Sequence, residues 1–127
     1  MKLNLTLASI LGLLSVILGA FGAHALKEKI SPEALHSFET GIKYMMYHSI
    51  VILFINSYSG FNETLKNRIS LLFFVGILFF SGSIFAITTE ILPAKSIWFI
   101  TPIGGLFLIS GWLIMVFSFY KSRNKNN

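Results

Sequence analysis

His48 is the residue least suited to its surroundings, an ionisable imidazole about one helical turn inside an apolar run that opens at Tyr44. Ionisable groups within a membrane are costly, so they face a bundle interior or a cavity. Tyr44, four residues earlier, shares its helix face and comes within reach of one ring nitrogen. The plainer reading of His48 is a neutral side chain that ties two helices together. The chemical alternative is a ligand, lipid-headgroup or proton-handling role. His24 closes an earlier apolar run and is expected at the same membrane end as His48. Two histidines at one depth raise a bis-His haem or a metal site, which makes His24, Tyr44 and His48 the candidate ligand-binding residues. Against such a site, His24 points away from the small-residue face of its helix if that helix is unbroken, and His36 and Glu39 lie on other faces. Neither a metal nor a cofactor is therefore expected.

The remaining residues offer little for catalysis. The chain has no Cys, which excludes disulfides, thiolate chemistry, Cys-ligated zinc and iron–sulfur clusters. It has no Asp, and its five acidic residues are all Glu in loops or at helix ends, leaving no paired carboxylates for general acid–base work. No Ser, His and Asp set and no phosphate-cradling glycine loop is present. No catalytic residue is assigned, and the expectation is a protein that is not an enzyme.

The elements that must position these residues are four apolar runs, residues 3–25, 44–58, 69–88 and 101–120. Each is near the roughly 20 residues that cross a bilayer as a helix. With 54% hydrophobic and only 12% charged residues, against about a quarter charged in a soluble domain, the chain reads as one membrane domain over residues 1–127. The net charge of +5 comes from Lys and Arg that flank the apolar runs, as in the loops and tail of a membrane protein. They form no patch interleaved with aromatics, so the expected partners are membrane lipids, with a second copy or another membrane protein as an option, and not nucleic acid.

The fold class expected is all-α, an integral membrane four-helix bundle with a juxtamembrane amphipathic helical extension on the second helix. That helix starts early, with Ser31 as N-cap and Pro32 at the first helical position. Its polar stripe, Glu33, Ser37, Thr40, Gly41, Tyr44 and His48, fades into Val51 and Ile55. Glu39 and Lys43 form an i,i+4 pair on the opposite side and read as a solvated ion pair. Gly60-Phe61-Asn62 ends the helix, and residues 60–68 read as a loop. Residues 91–100 are expected at the membrane interface with Trp98 as anchor, and Thr101 with Pro102 starts the fourth helix.

Small residues predict how the helices pack. Asn4, Ala8, Gly12, Ser15, Gly19 and Gly22 share one face of the first helix, Gly104 and Gly111 one face of the fourth, and Gly76 with Ser83 a weaker face of the third. Such faces let backbones approach closely where no hydrophobic effect acts between helices. The first run resembles a signal peptide ending at Ala23-His24-Ala25, but it exceeds the usual apolar length of one, so the helix is expected to be retained. Loop charges favour cytoplasmic termini, with Lys2, Lys66, Arg68, Lys121, Arg123 and Lys125 inside and Lys27, Lys29, Lys43 and Lys95 outside.

Motifs in the same order resemble a known family. They are Gly19-Ala-Phe-Gly-Ala-His-Ala-Leu26, Glu39-Thr-Gly-Ile-Lys-Tyr-Met-Met-Tyr-His48, Phe79-Phe-Ser-Gly-Ser-Ile-Phe85, and Ile100-Thr-Pro-Ile-Gly-Gly105 with Gly111-Trp112. Together they span nearly the whole chain. The chain is similar to the small four-helix membrane family named after transmembrane protein 256, which includes the bacterial YgdD-like inner-membrane proteins of unknown function. The resemblance implies a retained first helix, four spans and a bacterial inner-membrane location. It marks His24, Tyr44, His48, Thr101 and Pro102 as shared polar or turn features and supplies no substrate, cofactor or catalytic residue.

Overall fold

The computed structural model describes residues 1–124, with side chains through Ser122. Lys125, counted in the loop charges, and the two residues after it lie outside the described residues. The described chain is helical with no strand: α1 is Lys2–Leu26, α2 Pro32–Ser57, α3 Glu63–Thr88, α4 the short Ala94–Ile97, and α5 Ile100–Asn124.

Local chemistry sets these boundaries. The Ser31 hydroxyl accepts from the Ala34 N–H at 3.1 Å ahead of Pro32, which caps α2 at the expected place. The Asn62 side chain accepts from the Leu65 N–H at 2.9 Å, so α3 starts at Glu63. The stretch read as a loop up to Arg68 is therefore mostly the first turns of α3, because Asn62 acts as an N-cap and not as a helix terminator. At the other connection, α5 begins at Ile100, with the Ile103 N–H bonded to the Phe99 carbonyl. Thr101 is thus inside the first turn and does not cap the helix. Its hydroxyl instead meets Ser83 on α3.

Three helices, α1, α3 and α5, are long and apolar enough to cross a membrane. α2 has 26 residues, about 39 Å at 1.5 Å each, but Lys43, His48 and Asn56 make it less apolar. Lys43 is exposed, and the helix's placement explains how it tolerates the other two. α2 packs on α1 along one side and α3 along another, and its buried positions run from Phe38 through Ile42, Met45, His48 and Ile52 to Asn56. α3 is buried in the same way, whereas the described α1 segment up to Ile17 buries only Ala8 and Ser15. The more polar helix is therefore held between others, and the outer helices turn their apolar faces outward.

α1 is continuous but not regular. Leu18–Gly22 forms a π-helical turn, closed by the Ala23 N–H on the Leu18 carbonyl. Such a turn inserts about one extra residue. The buried positions Ala8 and Ser15 are seven apart, and the next is Ala23, eight further on. The turn thus moves the inward face from Gly22 to Ala23 and leaves His24 exposed.

The closest backbone approach is between α3 and α5. A Cβ built on Gly104 would lie against the backbone of Phe79 and Phe80, 2.7 Å from the Phe79 carbonyl carbon. On Gly76 it would lie 2.8 Å from Leu108 Cγ, and on Gly111 2.6 Å from Phe73 Cε1. The α1 glycines differ. Cβ atoms on Gly12, Gly19 and Gly22 would meet Ser49, Ile42 and Leu18 at 3.5, 3.7 and 3.4 Å, and Gly19 is itself exposed. Close approach expected from the α1 stripe at Gly19 is therefore absent, because Ile42 and the π-turn leave room there.

Candidate functional site

His48 is buried at 4% exposure among Phe73, Tyr44 and Trp112. Its Nδ1 lies 2.6 Å from the Tyr44 carbonyl, and the Trp112 Nε1–H donates to its Nε2 at 3.1 Å. A carbonyl only accepts and an indole N–H only donates. The ring is therefore neutral, with its proton on Nδ1, and both nitrogens are occupied. Tyr44 does reach one ring nitrogen, but through its backbone. Trp112, on α5, is the partner that sequence reasoning missed as a site residue, although it stood in the Gly111-Trp112 motif.

His24 does not join this arrangement. Gly22 lies beside Phe38, and Gly12 beside Ser49, so α1 and α2 run antiparallel and His24 sits level with about residue 36. That is about 12 residues from His48, or about 18 Å along the helix. The expectation of one shared depth fails because α2 begins well before its apolar run, which carries His48 far from the α1 end. Among the described residues no group of three His, Cys, Asp or Glu is placed to hold a metal ion. The only ion pair among them joins the Met1 ammonium to Glu63 at 3.8 Å. Glu39 and Lys43, expected to pair, therefore do not.

A groove of about 660 Å³ opens beside the His48–Trp112 bond, between α2 and α5. Tyr44, Tyr47, Phe80, Leu108 and Ile109 border it. Tyr44 and Tyr47 are 40% and 55% exposed, so the groove opens outward and is walled by aromatic and aliphatic side chains.

A second polar cluster lies at the end of the molecule where α1 begins and α5 ends. Asn4 Nδ2 donates to Asn56 Oδ1 at 3.1 Å and to Asn67 Oδ1 at 2.8 Å. Asn56 Nδ2 donates to the Ile52 carbonyl and to Ser70 Oγ, each at 2.8 Å. The buried Lys66 donates from Nζ to the Asn56 carbonyl at 3.2 Å, in the last turn of α2, where helix carbonyls lack backbone partners and the helix dipole favours a cation. This cluster ties α1, α2 and α3 together. The signal that could have found it is Asn56, an amide inside an otherwise apolar run. Hydroxyls make the remaining ties: Ser81 donates to the Gly41 carbonyl at 2.7 Å, and Ser83 meets Thr101.

A family described as "Protein of unknown function (DUF423)" matches residues 18–105, from the π-turn of α1 through the Gly104 contact. The chain belongs to the DUF423 family. A UPF0382 membrane protein of Staphylococcus haemolyticus is 38% identical over 122 residues, covering 95% of this chain and 98% of that one. The UPF0382 membrane protein YwdK of Bacillus subtilis is 37% identical over 120 residues, covering 91% and 94%. The UPF0382 inner membrane protein YgdD of Escherichia coli is 31% identical over 132 residues, covering 98% and 94%. No solved structure matches the chain. The resemblance to YgdD-like membrane proteins is thus borne out, and this member of the family is a membrane protein.

Proposed function

We propose that this chain is a non-enzymatic, lipid-associated accessory component of the bacterial inner membrane. It is read as a single four-helix membrane domain with spans near residues 3–25, 44–58, 69–88 and 101–120, both termini cytoplasmic, and the start of α2 as a juxtamembrane extension. The observation that carries this reading is where polarity sits. Among the described residues no buried side-chain nitrogen or oxygen lacks a hydrogen-bond partner: His48, Asn56, Lys66, Ser70, Ser81 and Ser83 bond to a neighbouring helix, and Ser15, Ser49 and Thr88 bond back to their own. The outward positions are apolar, including Leu7, Ile10, Leu13, Leu106, Leu113 and Val116, as hydrocarbon surroundings favour and water does not.

Several observations support the finer points. The Met1–Glu63 pair and the Asn4–Asn56 bond bring the N-terminus to the α2–α3 connection, and Lys121 lines a cavity with Arg68 there. The start of α1 and the end of α5 thus share one end of the molecule, which supports an even number of crossings with α2 as the fourth span. That end carries Lys2, Lys66, Arg68 and Lys121, in the sense of the positive-inside rule. The relative from Escherichia coli, an inner membrane protein, supports the location. A ligand site shared by His24 and His48 gains no support, since the two lie far apart and both His48 nitrogens are taken. In this reading Tyr44 and His48 wall and brace a groove filled by lipid hydrocarbon, while His24 is an exposed residue near the opposite interface.

The test is an optical and native mass spectrum of the protein purified from membranes in mild detergent. A colourless protein carrying exchangeable phospholipid, unchanged in a His24→Ala, His48→Ala double variant, is expected. A Soret band, or a stoichiometric non-lipid mass that the double variant loses, would overturn the proposal.

A further inference from the structure

We infer that the cavity where α3 begins and α5 ends binds the phosphate group of an anionic membrane lipid. The inference rests on the lipid-associated reading above and names the lipid chemistry and its place. The cavity, about 430 Å³, lies between the start of α3 and the end of α5, with Asn62, Thr64, Arg68, Ser118, Lys121 and Ser122 among its lining residues. Two cations and three hydroxyl-bearing side chains therefore line one recess. Among the described residues no carboxylate lines the recess. Glu63, the acidic residue nearest in sequence, is paired with the Met1 ammonium, and among the described residues neither Arg68 nor Lys121 has an ion-pair partner.

Two unneutralised cations facing one recess repel each other, and an anion between them relieves that repulsion. Phosphate suits the set. A guanidinium offers paired N–H donors that match phosphate oxygens, an ammonium adds a point charge, and hydroxyls donate to the remaining oxygens. The recess is also placed for a lipid. Arg68 and Lys121 stand at the membrane-end turns of α3 and α5, and toward the membrane their faces continue into exposed Leu71 and Leu78 on α3 and Phe117 and Leu113 on α5. A headgroup seated at the two cations would send its acyl chains along that apolar track. Basic pockets between membrane helices at the interface hold anionic headgroups in this manner.

The test measures binding to the full-length protein in mild detergent by native mass spectrometry. The probes are phosphatidylglycerol, phosphatidylcholine and inorganic phosphate. The variants are Arg68→Gln with Lys121→Gln, each single substitution, and Lys27→Gln with Lys29→Gln at the opposite end. All four side chains are exposed, and thermal unfolding in detergent checks that each variant is folded. At about fivefold per interfacial cation, the double variant should bind phosphatidylglycerol about thirtyfold more weakly. Each single variant should lose about fivefold, and the opposite-end variant should match wild type. Saturable binding of inorganic phosphate, lost in the same double variant, would also support the site and assign it to the phosphate group without the acyl chains. Equal binding of phosphatidylglycerol by wild type and the double variant, or equal binding of phosphatidylglycerol and phosphatidylcholine by wild type, would overturn the inference. In either case lipid of both kinds still retained by wild type leaves the lipid-associated reading standing, whereas a protein that holds no lipid at all removes that reading too.

Discussion

Gly104→Ala should destabilise the folded protein in detergent by about 3 kcal/mol, the upper end of the usual cost of overpacking, and Gly104→Leu should prevent α3 and α5 from docking. The reason is what the added carbon would strike. At Gly104 it would meet the Phe79–Phe80 backbone, and a helical backbone cannot swing aside as a side chain can. At Gly76 and Gly111 the atoms met first belong to Leu108 and Phe73 side chains, so alanine there should cost less. Gly19→Ala provides the contrast: its nearest neighbour would be Ile42 Cγ2 at 3.7 Å, an ordinary contact, and alanine improves helix propensity by about 1 kcal/mol over glycine. Gly19→Ala should therefore leave stability unchanged or slightly raised. Unfolding curves in mixed micelles read all four alanine variants. Equal effects of alanine at Gly104 and Gly19 would contradict the assignment of the tight interface to α3 and α5.

Trp112→Phe carries the second large effect. It retains an aromatic ring against Phe73 but removes the only donor to His48 Nε2, leaving a buried acceptor unpaired at a cost of about 1–3 kcal/mol. His48→Phe removes the acceptor and leaves the indole N–H of Trp112, which is 43% exposed, without its partner. The double variant His48→Phe, Trp112→Phe leaves neither group stranded, so it should be less destabilised than the sum of the singles. The coupling should be about 0.6 kcal/mol, the average for hydrogen bonds between membrane helices, and at most about 1.7 kcal/mol. Strict additivity would mean that the bond contributes nothing to holding α2 against α5.

Much of this organisation was legible in the sequence because the strongest constraints are local. Length and apolarity marked the runs that became α1, α3 and α5, and Ser31-Pro32 marked the start of α2. His48 stood out because an imidazole in an apolar run must find partners. Its second partner was not legible, since Trp112 is 64 residues away and only the packing of α2 and α5 on α3 brings the two together. The displacement of His24 was hidden for a related reason: depth along an antiparallel pair depends on register, which the apolar runs alone left undefined. The π-turn at Leu18–Gly22 was hidden because Gly19 and Gly22 fit a regular small-residue face equally well. Asn62 could be read as part of a helix stop or as the next helix's cap, and the side-chain bond to the Leu65 N–H decides for the cap.

The polar groups that bond between helices brace this protein, His48 above all. Nitrogen-15 NMR of the histidine side chains, with the protein in lipid bilayers at neutral pH, tests this. A neutral His48 ring with the proton on Nδ1, an unprotonated Nε2, and an Nε2 signal that shifts in Trp112→Phe are expected. A doubly protonated ring, a proton on Nε2, or a His48 signal unaffected by Trp112→Phe would contradict it.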